Sequence, residues 1–133
     1  MVGDIVSKGG IRVEHPVAAG EVIMPGELIA VNGSGYAVVA SDTAGLVVIG
    51  VSLKAVDNSG GKDGDVKVLV KQCCVVELAL YNLDRTNIGD PVYVYDSHTV
   101  ANVGSTNNGI RAGVLQWVSD DNSIGYVWTG AGL

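Results

Sequence analysis

Gly26 to Asp57 reads GELIAVNGSGYAVVASDTAGLVVIGVSLKAVD, and 63 positions further on Gly89 to Asp120 reads GDPVYVYDSHTVANVGSTNNGIRAGVLQWVSD. The two stretches align without a gap. Gly26 meets Gly89, Val31 meets Val94, Ser34 meets Ser97, Thr43 meets Thr106, Gly50 meets Gly113, Val51 meets Val114 and Asp57 meets Asp120. Each copy runs from Gly and an acidic residue through an apolar run, a polar turn and a second short run to a Gly-Val that opens a last strand. Self-similarity at one fixed offset is the mark of a repeated structural unit. The chain is therefore read as internally duplicated, with pseudo-repeats over 26–57 and 89–120.

Composition says what the repeats are made of. The chain has 133 residues, 47% of them apolar, with five Tyr, two Trp and no Phe. That length is one domain with a modest core. Val, Ile, Leu and Ala must fill it, and the branched Cβ of Val suits a pleated surface. Nineteen Gly supply sharp turns. The fold class expected is all-β: a small antiparallel β-barrel or β-sandwich with an extended N-terminal arm over 1–13 and a single β domain over 14–133. Short alternating strands do not separate barrel from sandwich.

Outward from the repeats, Met1 to His15 is polar and broken at Gly9-Gly10, with Ile5, Val6, Ile11 and Val13 as its apolar residues. Pro25-Gly26 is a turn signal. Glu27 to Val31 and Tyr36 to Ala40 read as strands around a hairpin at Asn32-Gly33-Ser34-Gly35. Ser41 to Gly45 is expected to hold one helical turn capped by Ser41 or Asp42. Leu46 to Val56 continues as strand, and Asp57 to Asp65, DNSGGKDGD, as a solvated loop. Val66 to Leu80 is the longest strand candidate, bent near Gln72. Its even positions are a clean apolar face, and its odd positions carry Lys67, Lys71 and Glu77 among apolar residues. Val92 to Tyr95, Thr99 to Val103, Ile110 to Val118 and Ile124 to Thr129 complete the strands.

Charge and motifs then narrow the function. Net charge is −6, and the eight basic residues are scattered, so no basic stripe exists for a nucleic acid backbone. No apolar run approaches a membrane span. Met1 to Gly10 lacks the cationic start and apolar stretch of a signal peptide, and the adjacent Cys73 and Cys74 would point to opposite faces of a strand, poorly placed to bridge. The expectation is a chain that folds in a reducing cytoplasm. His15 and His98 have no partner at metal-ligand spacing. DNSGGKDGD lacks the alternating ligands and distant Glu of a calcium loop. No G-x-S-x-G elbow is present, and the Gly-rich stretches lack the strand-to-helix setting of a phosphate loop. No catalytic residue, metal ligand or cofactor site is assigned. Trp117 and Trp128, with Tyr126, lie on the last two strands, where aromatic side chains fill a core or a subunit interface or stack on a sugar; core or interface is the reading favoured.

HPVAAGEVIMPGELIAVNGSGYAVVASDTAGLVVIGVSLKAVDNSGG, IGDPVYVYDSHTVA and RAGVLQWVSDD together resemble the capsid decoration, or cement, proteins of tailed phages and prophages. The shared pattern is a Pro-Val-Ala-Ala start, a Gly-Tyr-Ala-Val hairpin return, an Ile-Gly-Val strand, a Val-Asp-Asn-Ser-Gly-Gly loop and an Ala-Gly-Val-Leu strand. It spans about Glu14 to Val127; each motif is weak alone, and their order and spacing carry the likeness. The resemblance implies a non-enzymatic virion protein that binds the major capsid protein on the outer surface of a bacteriophage head. It implies head stabilisation by a homotrimer, assembled in the host cytoplasm, with no cofactor. Ile5, Val6, Ile11, Val13, Trp117 and Trp128 are the candidate capsid or subunit contacts. The alternative is a β-rich tail or head-fibre module that binds host-surface glycan through Trp117, Tyr126 and Trp128.

Overall fold

A computed structural model describes residues 11–129; Ile5 and Val6 lie outside the described residues. The described chain is all-β. Its strands are β1 (Ile11–Pro16), β2 (Val22–Ile23), β3 (Leu28–Val31), β4 (Ala37–Val39), β5 (Val47–Ser52), β6 (Val56–Asp57), β7 (Lys67–Gln72), β8 (Cys74–Tyr81), β9 (Pro91–Asp96), β10 (Thr99–Ala101), β11 (Arg111–Val118) and β12 (Ile124–Thr129). Two single 3-10 turns, Arg85–Asn87 and Val103–Ser105, sit in connections.

These strands form two five-stranded units built to one plan. The C-terminal unit is a closed barrel in the order β10-β8-β12-β11-β9. The N-terminal unit is a sheet in the order β1-β7-β5-β3-β4, and a parallel bridge between Val17 and Ala37 joins its two ends. Opened between β8 and β10, the barrel has the same order, with β8 standing for β1, β12 for β7, β11 for β5, β9 for β3 and β10 for β4. The register agrees residue by residue. Leu28 faces Val51 and Pro91 faces Val114; Ile29 faces Gly50 and Val92 faces Gly113; Ala30 faces Val48 and Tyr93 faces Arg111. Even the register shift recurs, falling between Ile29 and Ala30 and between Arg111 and Gly113. Arg12 faces Lys71 as Val75 faces Trp128. The bridge Val17–Ala37 has its counterpart in the parallel pair Leu80–Val100. The duplication read over 26–57 and 89–120 thus extends to the flanking strands of both units, and barrel rather than sandwich is the architecture.

Turn chemistry holds the strands in place. The Asn32 side-chain oxygen accepts from the Ser34 and Tyr36 amides at 3.0 and 3.1 Å, closing the expected hairpin. In the DNSGGKDGD loop the buried Asn58 amide donates to the carbonyls of Val17, Ala18 and Lys62. Asp63 accepts from the Ala19 amide at 2.8 Å and Asp65 from the Lys62 amide at 2.9 Å, so these carboxylates order backbone.

Four expectations are corrected. Val66 to Leu80 is two strands, broken at Cys73, whose φ of 54° turns the chain out of the N-terminal sheet and into the C-terminal barrel. The even-numbered apolar face survives the break because each half lines its own interior: Val68 and Val70 in the first, Cys74 and Leu78 in the second. Leu46 to Val56 is interrupted after Ser52, and β6 leaves the sheet to pair with β2, where Ile23 is buried against Val17, Ile29, Ala37, Ile49, Val68 and Val70. Ser41 to Gly45 forms no helical turn, because Asp42 is drawn across to the second unit. The arm boundary moves as well: Ile11 and Val13 belong to β1, which pairs with β7 along its whole length, so the β domain begins at least three residues before Glu14.

The two units share a core. Leu28, Ala30, Ala40 and Val48 project from the outside of the N-terminal sheet into the apolar cluster of the C-terminal barrel, beside Val92, Val94, Val100, Ile110, Ala112, Leu115 and Val127. Polar contacts seal this seam. The Leu28 amide donates to the Ser97 carbonyl at 2.7 Å, and the Ser97 hydroxyl donates to Glu27 at 3.0 Å. Asp42 accepts from the amides of Asn107 and Asn108 at 2.7 and 2.8 Å. The Asn107 and Asn108 bonds outweigh the small desolvation of Asp42 and hold its carboxyl below the usual range. Its stabilising effect is therefore present above the ordinary carboxylate pKa and is lost as pH falls through the lowered value.

His15 is the one polar residue placed on the inward side of β1, at the position of Leu78 in the barrel. Its Nε2 is buried and meets no hydrogen-bond partner among the described residues. Burial lowers its pKa from the ordinary 6.5, opposed by a hydrogen bond with Gln72. A histidine whose folded pKa is depressed favours the unfolded chain once the medium is acid enough to protonate it there. Stability is thus expected to fall as pH drops below about 6.5. His15→Leu should remove that component, so the urea midpoint of the variant should decline less between pH 7.5 and 5.5 than that of the natural chain. Equal declines would show that His15 is not the group responsible.

Candidate interaction surface

The outer wall of the C-terminal barrel carries the side chains that are least explained by folding. Along β12, Gly125, Val127 and Thr129 turn inward and are buried, while Ile124, Tyr126 and Trp128 turn out. Size decides this. A five-stranded barrel has a narrow interior, and a Cβ on Gly125 would already crowd the Leu115 and Leu80 side chains. An indole has no room there. Trp117 is 44% exposed and Trp128 37% exposed, so neither is a core residue; the core part of the expectation for this pair is overturned, and they stand on the surface.

Cross-strand register gathers these residues into rows. Val75 of β8 faces Trp128 of β12, which faces Val114 of β11, which faces Pro91 of β9. Trp128 and Val75 are exposed, Val114 is half-buried and Pro91 is exposed. One step along, Glu77 faces Tyr126 and Tyr126 faces Trp117. The Trp117 and Tyr126 rings stack with centroids 4.8 Å apart and planes 29° from parallel. Such stacking adds to area burial and fixes both rings. A second aromatic pair, Tyr81 on β8 and Tyr95 on β9, stacks at 4.5 Å across β10. Both rings are exposed. Apolar patches of this kind mark interaction surfaces, and Trp and Tyr are the side chains that dominate binding energy when a partner covers them.

Of the six residues singled out from sequence, the four that are described divide between the two units. Trp117 and Trp128 share the outer wall of the barrel. Ile11 and Val13 lie at the start of β1 in the other unit, the first exposed and the second half-buried. Sequence reading missed Val75, Tyr81, Pro91 and Tyr95 as surface residues. The signal was present in the odd positions of Val75–Tyr81 and Pro91–Tyr95, where apolar residues alternate with an equally apolar inner set; a strand apolar on both sides in a protein this small has an outer side that folding leaves uncovered.

Conventional reactive groups are engaged elsewhere. Asp84 accepts from the hydroxyl and amide of Thr86, and Asp121 from the hydroxyl and amide of Ser123 and the hydroxyl of Ser119, and these bonds hold both carboxyls below the usual range. His98 is exposed and shares a hydrogen bond with the Ser97 hydroxyl at 3.0 Å. The Cys74 thiol is pushed up by burial, away from the thiolate that nucleophilic or metal chemistry requires. Among the described residues no group of three His, Cys, Asp or Glu side chains could hold a metal ion. Against known proteins, neither a family model nor a curated protein matches this chain.

Proposed function

We propose that the chain is a non-enzymatic structural protein of a phage particle, a decoration protein that binds the major capsid protein on the outside of the head and stabilises the expanded shell as a homotrimer. The order and spacing of its turn and strand motifs support this reading. The observation that carries it is the apolar outer wall of exposed Val75, Trp128 and Pro91 and half-buried Val114, with Trp117 stacked on Tyr126 alongside. A rigid sheet that presents aromatic rings without a convergent set of reactive side chains suits surface-to-surface binding, where many copies on one shell multiply modest single affinities.

The test is co-sedimentation with expanded capsids. Trp128→Glu is expected to weaken binding about 30-fold, the loss of a hot-spot contact worth about 2 kcal/mol. Acrylamide should quench the tryptophans of the free protein and be excluded in the complex. Undiminished binding by a folded Trp117→Glu/Trp128→Glu double variant would overturn the reading.

The same exposed rings favour a second reading, a tail or head-fibre module that stacks host glycan on Trp117, Tyr126 and Trp128. A glycan array separates the two: hits that the double variant abolishes would support the glycan module.

A further inference from the structure

The two units are built alike but covered differently. On the N-terminal unit, the outward positions Leu28, Ala30, Ala40 and Val48 are closed over by the barrel, none more than 7% exposed. The same register positions on the barrel are Pro91, Tyr93 and Arg111, and Val103, in the 3-10 turn after β10, aligns with Ala40 in the sequence repeat. Among the described residues nothing covers them: Val103 is 55% exposed where Ala40 is 1%, Pro91 and Arg111 are exposed, and Tyr93 is half-buried.

The receiving side shows the reverse. In the barrel, the end that accepts the first unit is formed by Val94 and Ile110, which share a cluster with Leu28 and Val48, with Cys74 and Thr129 buried nearby. Their counterparts in the N-terminal unit are Val31, Val47, Ile11 and Gln72. Val47 is 61% exposed against 7% for Ile110, and Ile11 is 53% exposed against 2% for Cys74. The described residues therefore carry one seam made internally, one unmatched projecting face on the second unit and one unmatched receiving end on the first.

We infer that a second copy of this chain fills the vacancy: the Pro91, Tyr93, Val103 and Arg111 face of one copy docks on the Ile11, Val31 and Val47 end of the next, repeating between chains the packing that joins the two units within one. The contact is heterologous, head to tail, so it either closes into a ring or runs on as a filament. Three copies closing in this way would place six like units around one axis. The repeat is chemically altered in a way that suits an interface between separate chains. Ala30 and Val48 of the internal seam are replaced by Tyr93 and Arg111, both enriched where proteins meet and both able to stand in water beforehand. The hydrogen bond from the Leu28 amide to Ser97 cannot recur, because Pro91 has no N–H. The Glu27–Ser97 pair maps onto Asp90 and Ser34, which keep the same chemistry. Self-association is already part of the proposed function; the inference here is which two faces meet, and it does not depend on what the assembly binds.

The experiment is light scattering on the natural chain, on Val47→Asp and on Tyr93→Asp, with thermal unfolding to show that each variant folds. Val47→Ser and Val103→Asp replace either variant that does not fold. The natural chain is expected to form a discrete oligomer or a concentration-dependent series, and each variant alone a monomer. Mixed in equal amounts, the two variants should form a 1:1 dimer and nothing larger, since one retains an intact projecting face and the other an intact receiving end. A self-complementary interface does not produce that result. A natural chain monomeric up to about 1 mM, variants that keep the natural mass, or a mixture that stays monomeric would each overturn the inference. So would a chain cut to residues 11–133 that oligomerises where the full chain does not, because residues 1–10 would then be the occupant of the receiving end.

Discussion

Gly113→Ala is expected to destabilise the protein by about 3 kcal/mol, the upper range for forcing an extra carbon into a packed interior. A Cβ at Gly113 would collide with the main-chain carbonyl oxygen of Trp128 and press on the Val127 side chain. Both belong to β12, the neighbouring strand, so relief requires the β11–β12 pair to separate and its hydrogen bonds to lengthen. The same collision occurs at the matching position in the other unit, where a Cβ on Gly50 would meet the carbonyl oxygen of Lys71. Lys71 stands in β7 where Trp128 stands in β12. Each glycine lies beside the register shift of its unit, where the strand bends to curl the sheet. Gly50→Ala should therefore cost about as much as Gly113→Ala. Gly33→Ala is the control, since nothing lies within 4 Å of a Cβ there, and its change should stay within about 0.5 kcal/mol. Urea unfolding of the three variants decides the matter. Losses below about 1 kcal/mol at Gly50 and Gly113 would mean that the strands tolerate wider spacing and that the close approach is not needed for closure.

Leu28→Ala carries the second large effect, about 3 kcal/mol and within the usual range for a fully buried leucine. Leu28 is completely buried, yet it faces away from the interior of its own unit and lies in the cluster of the barrel. Truncation leaves a cavity at the junction, which neither unit can close alone. Pro91→Ala, at the same register position of the second unit, should change stability by less than about 0.5 kcal/mol in the monomer. The comparison holds strand position and sheet geometry constant and sets a covered side chain against an uncovered one. Denaturant midpoints measured at low protein concentration give both numbers. A small loss at Leu28 would show that the two units are held by the polar contacts of Asp42, Glu27 and Ser97 rather than by shared apolar burial.

Much of this was legible because it is local. Alternation along Ile124–Thr129 places the strand with its bounds intact, since period-two patterning reports which residues face a core without reference to a partner. Asn32-Gly33-Ser34-Gly35 reads as a hairpin because Asn accepts from amides two and four residues ahead and Gly35 takes a φ of 86°. A bend near Gln72 was legible, but that the chain changes units at Cys73 was hidden because apolar parity runs through it unchanged; a strand that leaves one interior for another keeps its alternation. The lost helical turn at Ser41 to Gly45 has a similar origin, as the partners of Asp42 are 65 and 66 residues away. The surface position of Trp117 and Trp128 was not legible because large aromatic residues on regular strands are ordinarily taken inside, and only the number of strands in the barrel excludes them.

The sequence by itself determined that the protein is all-β, that turns fall at Pro25-Gly26 and Asn32-Gly33-Ser34-Gly35, and that residues 26–57 recur 63 positions on. Each of these is settled by backbone preference, side-chain branching and alternation within a few residues, or by comparison of one stretch with another. Only the tertiary structure decided that each repeat curls on itself, that Leu28, Ala30, Ala40 and Val48 serve the core of the other unit, and that no described residue closes over Pro91, Tyr93, Val103 and Arg111. Alternation divides a strand into two faces, but whether the outer face meets water or another sheet depends on how two finished units pack. That packing is set by shape and area contributed from residues far apart in the chain, and two copies of the same pattern therefore end in opposite environments.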